Sequence, residues 1–317
     1  MRVLFWGTPE FATPALRALL GEGFDVAGVV TQPDRPQRRS RSTLVPSPVK
    51  RIALDEGIPV LQPERPRGPD FLEELRELQA DLSVVVAYGH ILPKAVIDLP
   101  PAGTLNIHAS LLPALRGAAP IQAAIRDGLA ETGVTIMRMV PQLDAGPIIL
   151  QARTPVLEDE TYGELQLRLA ELGAQTLVEA LALIDVGGAT ETPQDEALVT
   201  YAPKVEREDA RVDWSGDGAA VARVVRAYDP RPGAFTTLRG IEVKLYGARP
   251  AAGARGDPGE VLSVDESGML VGCGRGGVRI TYVHPAGRRR LAALDWAQGR
   301  GVSVGERFEG RGVRDEG

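Results

Sequence analysis

The run Leu82-Ser83-Val84-Val85-Val86-Ala87 carries no charge and is dense in β-branched side chains. Six such residues are too few for a buried helix and suit a strand. A strand that is apolar on both faces is one covered on both faces, as in parallel sheets flanked by helices. Reading outward, Val3–Trp6 is a second short apolar strand, and Val26–Thr31 a third. Between them, Thr8 suits an N-cap and Pro9 the first position of a helix running to Leu20, stopped by Gly21-Glu22-Gly23. Ser47-Pro48 repeats the cap-and-proline start for a helix ending near Gly57. Downstream, Thr104–His108 reads as a strand and Ala118–Arg126 as a helix closed by Gly128. Val134–Met139 and Ile148–Ala152 read as a strand pair, and Tyr162–Ile184 as a long amphipathic helix. Strands alternating with helices at this spacing predict an α/β domain with a doubly wound, mostly parallel, Rossmann-like sheet over residues 1–188.

After Gly187-Gly188 the periodicity stops. Residues 189–207 mix Thr, Pro, Asp and Gln and read as a linker. Residues 208–317 hold one helix, Gly218–Tyr228, and then short glycine-punctuated strands: Ala234–Leu238, Glu242–Tyr246, Gly259–Val264, Met269–Gly272 and Val278–Tyr282. Short strands separated by turns predict a second, smaller domain, a small β-barrel.

At 317 residues, 44% hydrophobic and 25% charged, the chain can bury cores in both parts, which excludes disorder as its main state. No apolar run approaches the roughly 20 residues that cross a bilayer. The N-terminal Met1–Gly7 is too brief for a signal peptide. One cysteine, Cys273, excludes an internal disulfide, and three histidines with one cysteine leave little for a zinc site, so no metal is expected. These features suggest a cytoplasmic address. Residues 1–207 carry 19 basic and 27 acidic residues, and residues 208–317 carry 17 and 15. The basic excess in the second part fits a polyanionic partner or no more than chance.

Three common signatures fail. No Gly-Lys pair exists for a P-loop, and there is no Gly-x-Ser-x-Gly elbow. Gly272, Gly274 and Gly277 match Gly-x-Gly-x-x-Gly, but a strand follows them, so no helix N-terminus is there to hold a pyrophosphate.

Chemistry concentrates elsewhere. Asn106 is the single asparagine of the chain, and His108 stands two residues on. On a strand these two point to one face, at the carboxyl end where open α/β sheets hold ligands. An amide that donates, beside an imidazole that offers a proton near neutral pH, suits a carbonyl becoming a tetrahedral oxyanion; a structural histidine is the alternative. Asp144, in Gln142-Leu143-Asp144-Ala145-Gly146-Pro147, is either a turn residue or the carboxylate that orients His108 and raises its pKa. Arg35, Arg38, Arg39 and Arg41 make an exposed basic loop, either merely solvated or placed for phosphate contact. Cys273, His284 and His90 read as structural or incidental.

Several motifs together carry a resemblance. They are Gly7-Thr8-Pro9-Glu10-Phe11-Ala12, Thr31-Gln32-Pro33-Asp34-Arg35-Pro36, Asn106–Pro113, Arg116-Gly117-Ala118-Ala119-Pro120-Ile121-Gln122 and Thr132–Met137. Tyr201-Ala202-Pro203-Lys204, Asp213-Trp214-Ser215 and Arg231–Phe235 extend it through the second part. The chain resembles the methionyl-tRNA formyltransferases, within the family of enzymes that use 10-formyltetrahydrofolate. The resemblance implies direct formyl transfer to the α-amine of methionyl-initiator tRNA through a tetrahedral intermediate. It makes Asn106, His108 and Asp144 the catalytic set and Ser110, Leu111, Leu112 and Pro113 the folate-binding stretch. It also makes the barrel OB-like; the arginine loop and this OB-like β-barrel would contact tRNA, and the enzyme would act as a monomer. Alternatives are formylation of another amine, such as a nucleotide sugar or glycinamide ribonucleotide, or tRNA binding without catalysis.

Overall fold

The computed structural model describes residues 1–37 and 40–310, and for residues 37 and 40–43 the backbone alone. The first elements are β1 (Arg2–Gly7), α1 (Thr13–Gly21), β2 (Asp25–Val30), the hairpin strands β3 (Arg35–Gln37) and β4 (Ser40–Val45), α2 (Pro48–Asp55), β5 (Val60–Leu61) and α3 (Pro69–Glu77). They are followed by β6 (Leu82–Val86), α4 (Lys94–Ile97), β7 (Thr104–His108), α5 (Pro120–Arg126), β8 (Glu131–Arg138), β9 (Ile148–Pro155) and α6 (Tyr162–Asp185). One seven-stranded sheet runs β5-β2-β1-β6-β7-β8-β9. β5, β2, β1, β6 and β7 are parallel, and β8 is antiparallel to β7. This is the doubly wound, mostly parallel sheet that the alternation predicts. β6 is buried at all five positions, as its composition requires. Its single polar residue, Ser83, is satisfied by the Trp6 indole, which donates to Ser83 Oγ at 3.2 Å.

The sequence misses β5, α3 and α4 and misplaces the start of α1. Thr8 does not cap. A 3-10 turn, Glu10–Ala12, precedes α1, and Thr8 Oγ1 instead donates to the Tyr88 carbonyl and accepts from the Gln32 N–H. Its hydroxyl thus laces together the segments that follow β1, β2 and β6. Ser47 does cap α2, accepting from the Lys50 N–H at 3.0 Å. On α6, a Cβ at Gly173 would come within 2.9 Å of Ile107, so only glycine lets the helix close on β7.

The chain divides into two compact units. One holds Met1–Gly117, Thr132–Thr154 and Gln166–Tyr201; the other holds Ala118–Glu131, Pro155–Leu165 and Ala202–Gly317. The stretch read as a linker therefore belongs for the most part to the first unit. The second unit contains α5, α7 (Gly218–Ala227), β10 (Ala234–Leu238), β11 (Ile241–Ala251), β12 (Val261–Asp265), β13 (Gly268–Gly272), β14 (Gly277–Pro285), β15 (Leu291–Ala292) and α8 (Ala293–Gln298). Its sheet order is β10-β11-β14-β13-β12, with β15 on β14. The C-terminal segment is stitched to both free edges: the Phe308 N–H donates to the Gly259 carbonyl, and the Glu309 N–H to the Thr237 carbonyl, each at 2.8 Å. Trp214, Trp296 and Phe308 stack inside, and Cys273 is buried beside them, its thiol pushed up to about 11 by burial. Gly272 to Gly277 joins β13 to β14, a loop between strands as expected.

Candidate active site

β7 ends at His108 on the carboxyl edge of the parallel strands. Asn106 and His108 share one face of it by the two-residue period. Asn106 is half-buried, and its side chain has no hydrogen-bond partner among the described residues. His108 is 6% exposed. Its Nε2 lies 3.0 Å from the Leu115 carbonyl, which can only accept, so Nε2 carries the hydrogen. Nδ1 faces Asp144 Oδ2 at 3.7 Å, too far for a hydrogen bond but close enough for a charge interaction.

Burial dominates the ionisation of His108 and holds its pKa below the ordinary histidine value. The Asp144 carboxylate and the Leu115 carbonyl oppose this without reversing it. The resting imidazole is neutral, with an unprotonated Nδ1.

Asp144 sits between β8 and β9 at φ +48°, in the left-handed region that few non-glycine residues enter. Its Oδ2 accepts from the Gly117 N–H at 2.8 Å. Two residues on, a Cβ at Gly146 would lie 1.8 Å from the Arg138 carbonyl oxygen, so glycine is obligatory there. The turn Ser110–Pro113 is closely tied. Ser110 is fully buried, and its hydroxyl donates to the Ala114 carbonyl at 2.6 Å. Thr135 Oγ1 donates to the Ser110 carbonyl and accepts from the Leu112 N–H. Leu112 is buried, whereas Leu111 and Pro113 keep partial exposure.

The arginine loop is a hairpin rather than an irregular loop. β3 and β4 form their own two-stranded sheet, and Pro36 stands in register opposite Leu44. A proline can hold such a place where its missing N–H faces away from the partner strand. Arg35 is exposed, and its guanidinium donates to Gln32 Oε1 at 2.5 Å. Arg38 and Arg39 lie outside the described residues, as does the side chain of Arg41.

The sequence reading misses a layer behind the site. Gln194 Nε2 donates to the carbonyls of both Asp144 and Gly146, each at 2.8 Å. Gln194 Oε1 accepts from Arg116 Nε and Nη2, at 3.0 and 2.8 Å. Thr200 Oγ1 accepts from the Leu115 N–H at 2.9 Å. These residues are about 80 positions from Arg116 and Leu115, in a stretch without periodicity, and no local signal marks them. An open cleft of about 590 Å³ lies elsewhere in this unit, lined by Glu10, Phe11, Arg153 and Gln166 among others, and takes in none of Asn106, His108 or Asp144. Among the described residues no His, Cys, Asp and Glu cluster is placed to hold a metal ion, and no helix is long and apolar enough to cross a membrane.

Comparison with known proteins fits this geometry. Residues 1–181 match the family model described as formyl transferase, and residues 204–301 match the formyl transferase C-terminal domain. The chain is 49% identical to a methionyl-tRNA formyltransferase of Aromatoleum aromaticum, covering 98% of this chain and 97% of that one. It is 47% identical to the enzyme of that name from Moorella thermoacetica, covering 96% and 98%. Among solved structures, HypX of Aquifex aeolicus in complex with tetrahydrofolic acid superposes with a TM-score of 0.68 at 25% identity, over 96% of this chain and 48% of that longer one. An N-formyltransferase of Helicobacter canadensis superposes at 0.67 with 17% identity, a likeness of fold, over 88% of this chain and 97% of that one. Both domains thus match in chain order and over nearly the whole length, and the chain belongs to the formyl transferase family.

Proposed function

We propose that this chain transfers the formyl group of 10-formyltetrahydrofolate to the α-amine of methionyl-initiator tRNA, by direct acyl transfer for translation initiation. The observation that carries the chemistry is the lock on His108. With Nε2–H held by the Leu115 carbonyl, the neutral ring turns its basic Nδ1 towards Asp144. The acceptor is carried over from the near-full-length likeness to enzymes named for it.

In this reading 10-formyltetrahydrofolate supplies the formyl carbon and departs through its N10. The α-amine nitrogen forms the new bond to that carbon, and the carbonyl oxygen becomes an oxyanion. The half-buried Asn106 amide, free to donate, holds the oxyanion. His108 Nδ1 takes the proton that the attacking amine loses, and Asp144 stabilises the resulting imidazolium. The same proton then passes to N10 as the carbon–N10 bond breaks, which returns His108 to its neutral form. The partly exposed Leu111 and Pro113 would face the folate, while buried Ser110 and Leu112 hold the turn that presents them.

The four arginines from Arg35 to Arg41 are assigned to tRNA, as is the barrel of residues 208–317. Three catalytic groups on one chain need no second copy, which favours a monomer, and translation places the enzyme in the cytoplasm. A formylation assay comparing charged initiator tRNA, charged elongator tRNA and free methionine tests the proposal. Turnover is expected with the first alone. Equal turnover with free amines or nucleotide sugars would overturn the assigned acceptor.

A further inference from the structure

Asp144 is the charged group facing His108, yet it rides on a loop that its own backbone does not secure. Its φ of +48° costs energy for a residue with a Cβ, and such a conformation lasts only where the surroundings over-determine it. Besides the Gly117 N–H and the backbone of Arg138, those surroundings include a strap, residues 192–201. At one end Thr192 pairs with Ile148 through both backbone hydrogen bonds, each at 2.8 Å. Next, the Gln194 amide bridges the carbonyls on either side of Ala145, clamping the turn that carries the carboxylate.

Gln194 is itself fixed. Arg116, buried at 3% exposure, presents Nε and Nη2 to Gln194 Oε1, and Nη2 and Nη1 reach the Glu196 carboxylate. Acceptance at Oε1 leaves Nε2 the only way to face the carbonyls, so the orientation of the amide is set. Arg116 closes the loop of contacts through its neighbours in sequence: Gly117 N–H holds Asp144 Oδ2, and the Leu115 carbonyl holds His108 Nε2. The strap grips this stretch too. The Thr200 carbonyl accepts from the Arg116 N–H, and Thr200 Oγ1 accepts from the Leu115 N–H, both at 2.9 Å.

We infer that the strap sets the separation and orientation of His108 and Asp144, with Gln194 and Thr200 as positioning residues for the transfer reaction. One segment holds both partners, Asp144 through Gln194 and His108 through Thr200 and Leu115. Neither residue touches the reacting atoms. The inference rests on the assignment of His108 and Asp144 above.

The experiment uses the full chain with Gln194→Met, which keeps length and removes every hydrogen bond, and with the pair Thr200→Val and Thr200→Ser. Gln194→Met frees the Asp144 turn, so the carboxylate supports the imidazolium less. The expected result is a 10- to 30-fold fall in kcat with the KM for formyl-folate unchanged. The acid limb of the kcat profile should move to lower pH, because a weaker Asp144 field lowers the His108 pKa further. Titration of the His108 ring by NMR should show the same downward shift without any turnover. Thr200→Val should lose several-fold in kcat, and Thr200→Ser, which keeps the acceptor, should restore it. A folded Gln194→Met with parental kcat and parental His108 titration would overturn the inference. So would a loss of activity matched by a fall in the folded fraction, with no change in titration. A His108→Ala control separates the two levels: if it turns over normally, the catalytic assignment fails, whereas the titration still reports whether the strap sets the pair.

Discussion

The strand β7 and the hairpin β3–β4 both lie at the carboxyl edge of one sheet, and they meet solvent in opposite ways. β7 ends in a buried imidazole whose two nitrogens each face a defined group. The hairpin is a separate two-stranded sheet with exposed Leu44 and Val45, carrying arginines in a domain whose charge is otherwise acidic. In the first region a small displacement changes a proton affinity, so precision has to come from hydrogen bonds behind the site. In the second, attraction to a polyanion falls off slowly with distance and tolerates movement. In the proposed function chemistry and capture are thus separated along one edge, and their mutants should fail differently.

The largest effects should come from the buried region. Asn106→Ala, His108→Ala and Asp144→Ala should each lower turnover by at least about 10²-fold, the scale of removing an oxyanion donor or an acid–base group. Folding should survive, since these groups sit at the sheet edge and not in the apolar core. In the parent enzyme the acid limb of kcat should lie below the ordinary histidine value of about 6.5, because burial lowers the His108 pKa and the proposed mechanism uses the neutral ring. A limb above that value would mean that Asp144 outweighs burial. A folded variant with near-normal turnover would remove its residue from the mechanism.

The hairpin should respond more mildly and in a different variable. Replacing Arg38, Arg39 and Arg41 by alanine should weaken tRNA binding about tenfold. The salt dependence should flatten by up to about one unit of slope per lost phosphate contact. Formyl-folate binding and the pH limb should not move. If the triple variant formylates initiator tRNA with an unaltered salt slope, the hairpin is a solvated surface feature, and the contrast with β7 loses one of its sides.

The legibility of these two regions in the sequence follows the same division. The β-branched run of β6 and the Asn106–His108 spacing are local, periodic signals, and the sheet and the pair on β7 appear where they point. The single asparagine of the chain stands on that strand, two residues before His108. Residues 189–207 gave no such sign. Thr, Pro, Asp and Gln without periodicity describe a free linker and a strap bound by side-chain hydrogen bonds equally well. What separates the two is the presence of Arg116 about 80 residues away, a contact only the fold creates. β5 is two residues long and could not be read. α3 could have been, since Gly68-Pro69 marks its start and Phe71 and Leu75 recur at helical spacing. Thr8 misled because a hydroxyl before Pro-Glu fits a cap locally, while the ends of three strands compete for the same oxygen.

The smallest effect tests whether the hairpin, tolerant at its tip, is nonetheless fixed at its root. Asp34 precedes β3 and lies in a compact polar knot. Lys50 Nζ donates to Asp34 Oδ2 and to Gln62 Oε1, both at 2.6 Å, and Gln62 Nε2 donates to Asp34 Oδ1 at 2.8 Å. The hydrogen bond from Lys50, followed by that from Gln62, holds the Asp34 carboxyl below the usual carboxylate range. A carboxylate depressed in this way adds stability that is present above about pH 4 and is lost as pH falls through its folded pKa. Lys50→Met should therefore cost about 1 kcal/mol at pH 7, the scale of one partly exposed charged hydrogen bond, and the cost should be smaller at pH 3, as pH falls towards the depressed pKa of Asp34 in the folded parent. Urea unfolding at the two pH values measures this. Initiator tRNA binding should weaken about threefold at pH 7, less than on removing the arginines, because the root steers the hairpin without touching phosphate. A stability cost that persists undiminished at pH 3 would show that Lys50 acts through the packing of its methylenes, and unchanged tRNA affinity would show that the hairpin needs no fixed root.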